Sequence, residues 1–275
     1  VQGIGDFARS AAEQGGDIAS TQADTAGAML GVDARVPNSN NWRVGVATAY
    51  TDTTLNDEGR NSRQTIDTTH FAAYAGGTVI GDLQARLGFD YAWTRLDTHR
   101  QVAFPGVNET DHASPDAQVA DLFVETGYVF RFGRLRVEPF ANGAYVHAAV
   151  DSAQETGGIA TLNLGKDALD AALTEAGVRM SASWRLTPSA ALEPYLSLSE
   201  RHAFGDDGSS ALLSFTGGGS SFLTHGVGLD RDAGNVEFGG VFDLGERVRV
   251  DAAYSSQMSS HWQDQTLKLT ASYRF

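Results

Sequence analysis

The chain has 275 residues with 34 acidic against 20 basic ones, a formal net charge of −14, and so offers no basic stripe for nucleic-acid phosphates. It contains no cysteine, which excludes disulfide frameworks, thiol nucleophiles and cysteine zinc sites together and suits an export route through an oxidising compartment. No run of about 18 apolar residues occurs, so no transmembrane helix is expected, although a membrane β-barrel escapes such a scan.

Residue 1 is Val and no signal peptide opens the sequence, which therefore reads as a processed or excised piece of something longer. Strand-like stretches follow one another near 1–10, 24–36, 41–52, 65–79, 82–98 and 117–131, then near 135–150, 171–186, 190–203, 234–244, 247–259 and 265–275. Trp42, Val44, Val46, Thr48 and Tyr50 alternate with smaller or polar residues. Leu83, Ala85, Leu87, Phe89, Tyr91 and Trp93 do the same, as do Leu122, Val124, Thr126, Tyr128 and Phe130. Val178, Met180, Ala182 and Trp184 continue the pattern, then Leu192, Pro194, Leu196 and Leu198, and then Val248, Val250, Ala252 and Tyr254. Stretches 65–79 and 135–150 have no clean phase. LGKDALDAALTEAG (164–177) has some helical spacing and reads as a short helix or a strand extension. The last nine residues, LKLTASYRF, alternate strictly and end on an aromatic.

The connections alternate in length. PNSN (37–40), VIGD (79–82), RFGR (131–134), TPSA (187–190) and LGER (244–247) are tight turns, while 53–64, 99–116, 151–170 and 204–233 are long and polar. Such sorting, with Trp and Tyr near strand ends, predicts an all-β fold: a transmembrane antiparallel up-and-down barrel of about twelve strands, with short periplasmic turns and long extracellular loops. A closed barrel must pair its last strand with its first, which explains a C-terminal strand that does not fray. One domain spanning 1–275 is expected.

Twelve strands leave a lumen wide enough for about one helix of ~10–12 Å diameter. The charged residues of the polar strand faces are then lumen candidates: Glu125, Arg131, Arg136, Glu138, Glu175, Arg179, Arg201, Glu237, Arg247 and Arg249, with Glu193 and Asp251. No catalytic constellation stands out among the seven histidines. His99, His112, Asp111 and Asp116 share one connection and are the nearest to a surface site. GGGSS (217–221) is no phosphate loop, because no GK[ST] follows. Oxygen ligation of calcium by GDDG (205–208) or DRD (230–232) has no specified geometry. No catalytic residue, metal or cofactor is expected.

The stretch 221–257 followed by QTLKLTASYRF resembles the closing signature of the autotransporter translocator domain, the barrel of type V secreted proteins. Gly226, Arg231, Asp232, Gly239, Gly240, Tyr254, Gln257, Tyr273 and Phe275 carry the match, and AGAMLGVDARVPNSNNWRVGVATAYT (26–51) is similar to that family's second and third strands. The resemblance implies a non-enzymatic barrel, integral to the outer membrane of a Gram-negative bacterium, that exports its own N-terminal passenger. The alternative is a stand-alone channel or barrel enzyme. It also implies contact with outer-membrane lipid, a pore helix missing from this segment, periplasmic chaperones and the barrel assembly machinery. Tyr273 and Phe275 resemble the signal that machinery reads. A monomer, with no nucleic-acid partner, is expected.

Overall fold

A computed structural model describes residues 1–10, 20–39, 41–57, 62–206, 208, 210–226 and 230–275. Among them every regular element is a strand, and no helix is long and apolar enough to cross a membrane. The strands are β1 (Gln2–Ser10), β2 (Thr21–Arg35), β3 (Arg43–Asp57), β4 (Ser62–Ile80), β5 (Leu83–Phe104), β6 (Val107–Ala113) and β7 (Asp116–Tyr128). Then come β8 (Phe130–Phe132), β9 (Leu135–Val150), β10 (Ala153–Gln154), β11 (Leu162–Leu164), β12 (Asp167–Ala182), β13 (Trp184–Thr187) and β14 (Ala190–Gly205). The last are β15 (Ser210–Phe215), β16 (Phe222–His225), β17 (Asp232–Leu244), β18 (Val248–Met258) and β19 (Trp262–Tyr273).

Twelve strands close a barrel in the order β1-β2-β3-β4-β5-β7-β9-β12-β14-β17-β18-β19, every pair antiparallel. β19 returns to β1 in an unbroken register from Gln2↔Thr270 to Ser10↔Trp262, so the C-terminal strand is held on both edges as closure requires. The short β8 and β13 continue β7 and β12 past single interruptions.

Five tight turns sit at one end. Gly81, Gly133 and Gly245 occupy three of them with φ of 58°, 63° and 71°, left-handed values that a side chain resists. In PNSN, Asn38 takes a φ of 56° and Ser39 Oγ accepts from the Trp42 amide. Asn40 of that turn lies outside the described residues, as do 58–61 in the 53–64 connection, Asp207 of GDDG and 227–229 of the closing stretch.

At the other end the structure departs from expectation. Connection 99–116 is a hairpin rather than a loop: β5 runs on to Phe104, turns at Pro105-Gly106 with Gly106 at φ 92°, and pairs with β6. Stretch 164–177 is strand from Asp167 onward, not helix, because each residue finds a ladder partner on β9. Connections 151–170 and 204–233 contribute β10, β11, β15 and β16, a separate four-stranded sheet. The β18–β19 connection is short, spanning only Ser259 to His261.

The two faces differ sharply. Leu87, Phe89, Trp93, Leu122, Val124, Phe238, Leu267 and Leu269 are exposed on one. The other is small and polar, with Ala47, Ala49, Ala92, Ala253 and Glu138 nearly buried. This inverts a soluble sandwich, which would hide its apolar face. β4 now has a phase: Phe71 lies exposed, whereas Tyr74 lies on the small face over Gly45, where a Cβ would come within 2.4 Å of the ring.

Candidate functional site: the polar face of the barrel

Four neighbouring strands build the densest cluster of charge on that face. Register places Arg86 of β5 opposite Glu125 of β7, and Glu138 of β9 opposite Arg179 of β12. Arg86 pairs with Glu125 and lies 3.0 Å from Glu138 Oε1. Arg179 lies 3.4 Å from Glu125 Oε2 and 3.6 Å from Glu138 Oε1, and its guanidinium stacks 4.5 Å from the Phe140 ring centroid. The carboxylates are the inner members, with side chains 12% and 9% exposed, against 41% and 30% for the arginines. Two acids and two bases thus lie within ion-pair distance of each other with the cations toward water, while the buried Glu138 Oε1 makes no hydrogen bond.

The other predicted residues fall into separate pairs. Arg136 Nη1 lies 3.6 Å from Glu193 Oε1, which also accepts from Ser181 Oγ at 2.8 Å. Glu175 stands opposite Arg201 in register and accepts from Ser199 Oγ and, at 3.5 Å, from Asn235 Nδ2. Glu237 faces Lys268 at 3.9 Å, and Asp251 accepts from the Tyr195 hydroxyl at 3.4 Å. Arg131 pairs with Asp82 beside a tight turn, and Arg249 lies 3.9 Å from Asp243. Arg247 sits in the β17–β18 turn and donates to the hydroxyl of Tyr273 at 3.4 Å, on the apolar side. Arg86 is the cluster member the sequence reading left out, although it shares the parity of the polar face and its register partner is Glu125.

At the far end, connection 151–166 edge-pairs with β6 through Thr156 and His112, then curls over the hairpin. Arg100 donates to Asp111 Oδ2 at 3.0 Å, to Glu155 and to the carbonyl of Ala160 at 2.9 Å. Asp111 is fully buried there and accepts from the Gly158 amide. The Glu155 hydrogen bond raises the Arg100 guanidinium further above its ordinary value. Asp111 therefore does not join His112, and Asp116 pairs instead with Arg95 at 3.8 Å. The four residues that share connection 99–116 are therefore not gathered in one place: Asp111 and Asp116 pair with arginines, apart from His99 and His112.

In DRD, Asp230 accepts from the amide and ring of His261 while Asp232 pairs with His202, so the two carboxylates are committed to different histidines. Burial pushes the Asp230 carboxyl up, but hydrogen bonds from His261 and Ser259 outweigh it and hold it at about 2.

The autotransporter β-domain family matches residues 1–255. The chain belongs to that family. Two extracellular serine proteases of Serratia marcescens are 30% and 31% identical to this β-domain over 254 residues, 92% of this chain. The chain spans only 24% of their length. The translocator domain of the autotransporter NalP from Neisseria meningitidis shares the fold with a TM-score of 0.78 at 15% identity, covering 100% of this chain and 86% of that one. The β-domain of the Bordetella autotransporter BrkA gives 0.70 at 14%, covering 100% and 98%. The β-domain is therefore an outer-membrane translocator of the kind that exports a passenger, and a stand-alone channel or barrel enzyme is not favoured.

Proposed function

We propose that this β-domain is embedded in the outer membrane of a Gram-negative bacterium and passes its own N-terminal passenger to the cell surface along the polar face described above. The supporting observation is the closed twelve-strand barrel, apolar on one face and, on the other, carrying mutually neutralised ion pairs. Glu125, Arg136, Glu138, Glu175, Arg179, Arg201, Glu237 and Arg249 line the lumen in this reading, with Arg131 at its turn end and Arg247 at the rim. They offer hydrogen bonds to a passing chain while keeping water in the channel. Residues 1–275 act as one domain, preceded by a linker helix and the passenger. The Serratia relatives make a secreted serine protease the passenger to look for first.

The exposed ring of Phe275, 5.3 Å from that of Tyr273, presents the pattern for the barrel assembly machinery and periplasmic chaperones, and the assembled barrel is a monomer in lipid. The test is export. An epitope-tagged segment placed ahead of residue 1, behind a signal peptide, is expected to become sensitive to protease added to intact cells. A folded, membrane-inserted barrel whose tag stays protected would refute the translocator reading. Phe275→Ala is expected to lower the yield of assembled barrel in the same cells, and undiminished assembly would remove the signal from that residue.

A further inference from the structure

We propose that Asp97, His99 and His112 bind a divalent transition-metal ion of the zinc class at the base of the β5–β6 hairpin. His99 and His112 stand directly opposite each other in the β5–β6 register, and Asp97 lies two residues before His99, so all three project from one face. Their donor atoms all lie within 4.8 Å of one another. Asp97 Oδ1 is 3.4 Å from His99 Nε2 and 3.2 Å from His112 Nδ1. A tetrahedral ion with bonds of about 2.0–2.1 Å holds its donors about 3.3 Å apart, so two of the three edges already have the required length.

The hydrogen bonding makes the gap informative. Asp97 Oδ1 and His112 Nδ1 are both shut off from solvent, and neither makes a hydrogen bond despite their proximity. His112 Nε2 has its own partner, Ser114 Oγ, at 3.2 Å. When Nε2–H donates to that hydroxyl, Nδ1 turns its lone pair onto the lone pairs of Asp97. A cation between them relieves such a contact. Outer hydrogen bonds of this kind fix the tautomer of metal-bound imidazoles.

The backbone is equally fixed: His112 is paired to His99 on one edge and exchanges both amide hydrogen bonds with Thr156 on the other. The nearby cations have other partners. Arg63, opposite His99 on β4, donates to Thr54, and Arg95 faces Asp116.

Two imidazole nitrogens and one carboxylate favour zinc, nickel or copper over calcium or magnesium, which take oxygen. The three side chains remain about half exposed, which leaves the ion an entry path and an open position for water. The place has a mechanical meaning as well. Arg95↔Asp116 is the last β5–β7 pair and Thr98↔Ala113 the first β5–β6 pair, so the ion would clip β5 at the point where it exchanges one partner for another.

The test uses the untagged chain, folded in detergent, titrated with Zn²⁺ by calorimetry and with Co²⁺ by visible spectroscopy. One ion per chain is expected, with the intense d–d bands of four-coordinate cobalt. His99→Ala and His112→Ala should each weaken binding about tenfold or more, and Asp97→Asn should do likewise. His147→Ala, at a histidine paired with Asp170 on β12, should change nothing. Folding of each variant is read independently from its heat-modifiable electrophoretic mobility. Absence of saturable binding by the folded parent chain, or equal affinity in folded His99→Ala and His112→Ala, would overturn the proposal.

Discussion

The wall made by β4 and β5 and the seam made by β19 and β1 solve the same problem with different means. β4 and β5 have 19 and 22 residues, about twice the 9–11 that a tilted strand needs to cross lipid. β5 turns Leu87, Phe89, Tyr91 and Trp93 to the apolar side and, above them, carries the charged hairpin. β1 has 9 residues and β19 has 12. On the apolar side β1 shows Gly3, Gly5, Phe7 and Arg9, with Phe7 the one large apolar side chain, so its hold rests on main-chain pairing and on β19, whose Leu267 and Leu269 supply the grease. One side of the barrel is secured by side chains in lipid and by its hairpin, the other chiefly by a ladder of backbone hydrogen bonds.

Breaking the seam should therefore have the largest effect. Leu269→Pro removes a ladder donor from a strand paired on both edges, at Gly3 and at Ala252, and is expected to abolish the folded, heat-modifiable barrel. Accumulation of normal barrel would show that closure does not depend on that ladder. Next comes the wall. Leu87→Arg places a charge on the apolar face, costing about 2–4 kcal/mol near the bilayer midplane, and should block membrane assembly. Stable insertion would mean that Leu87 does not face lipid.

Glu138→Gln spares the backbone of both regions and tests the charge cluster alone. Glutamine keeps the carbonyl oxygen but removes the charge shared by Arg86 and Arg179, which keep Glu125 and are partly solvated, so a loss of about 1–3 kcal/mol is expected. Urea titration followed by tryptophan fluorescence should show a lowered midpoint, and an unchanged midpoint would mean that the cluster is energetically idle. The smallest effect has the opposite sign. A Cβ at Gly5 meets nothing within 4 Å, so Gly5→Val should stabilise the seam by about 0.5–1 kcal/mol, seen as slower unfolding in urea. Destabilisation there would show that the bare outer face of β1 is needed open.

Much of this architecture was legible because lipid reverses the usual rule while leaving the period of two intact. Leu122 to Phe130 and Leu267 to Phe275 are phased correctly by alternation alone. Stretch 65–79 was not, since Tyr74 on the small face and Phe71 on the apolar face look alike until Gly45 is placed beneath one of them. The extension of β5 was missed for another reason. Thr98 to Phe104 is too polar to read as buried strand, and only the Pro105-Gly106 pair signals that it turns and pairs with itself. The charge cluster depends on register across four strands, which no single strand reveals. Thus Glu125, Glu138 and Arg179 were named without their relation, and Arg86 was left out.

The cluster contains two positive and two negative side chains within ion-pair distance of one another. On the proposed function, the formal charges cancel at that level, and a passing segment meets the two guanidiniums first, since they lie nearer water than the carboxylates.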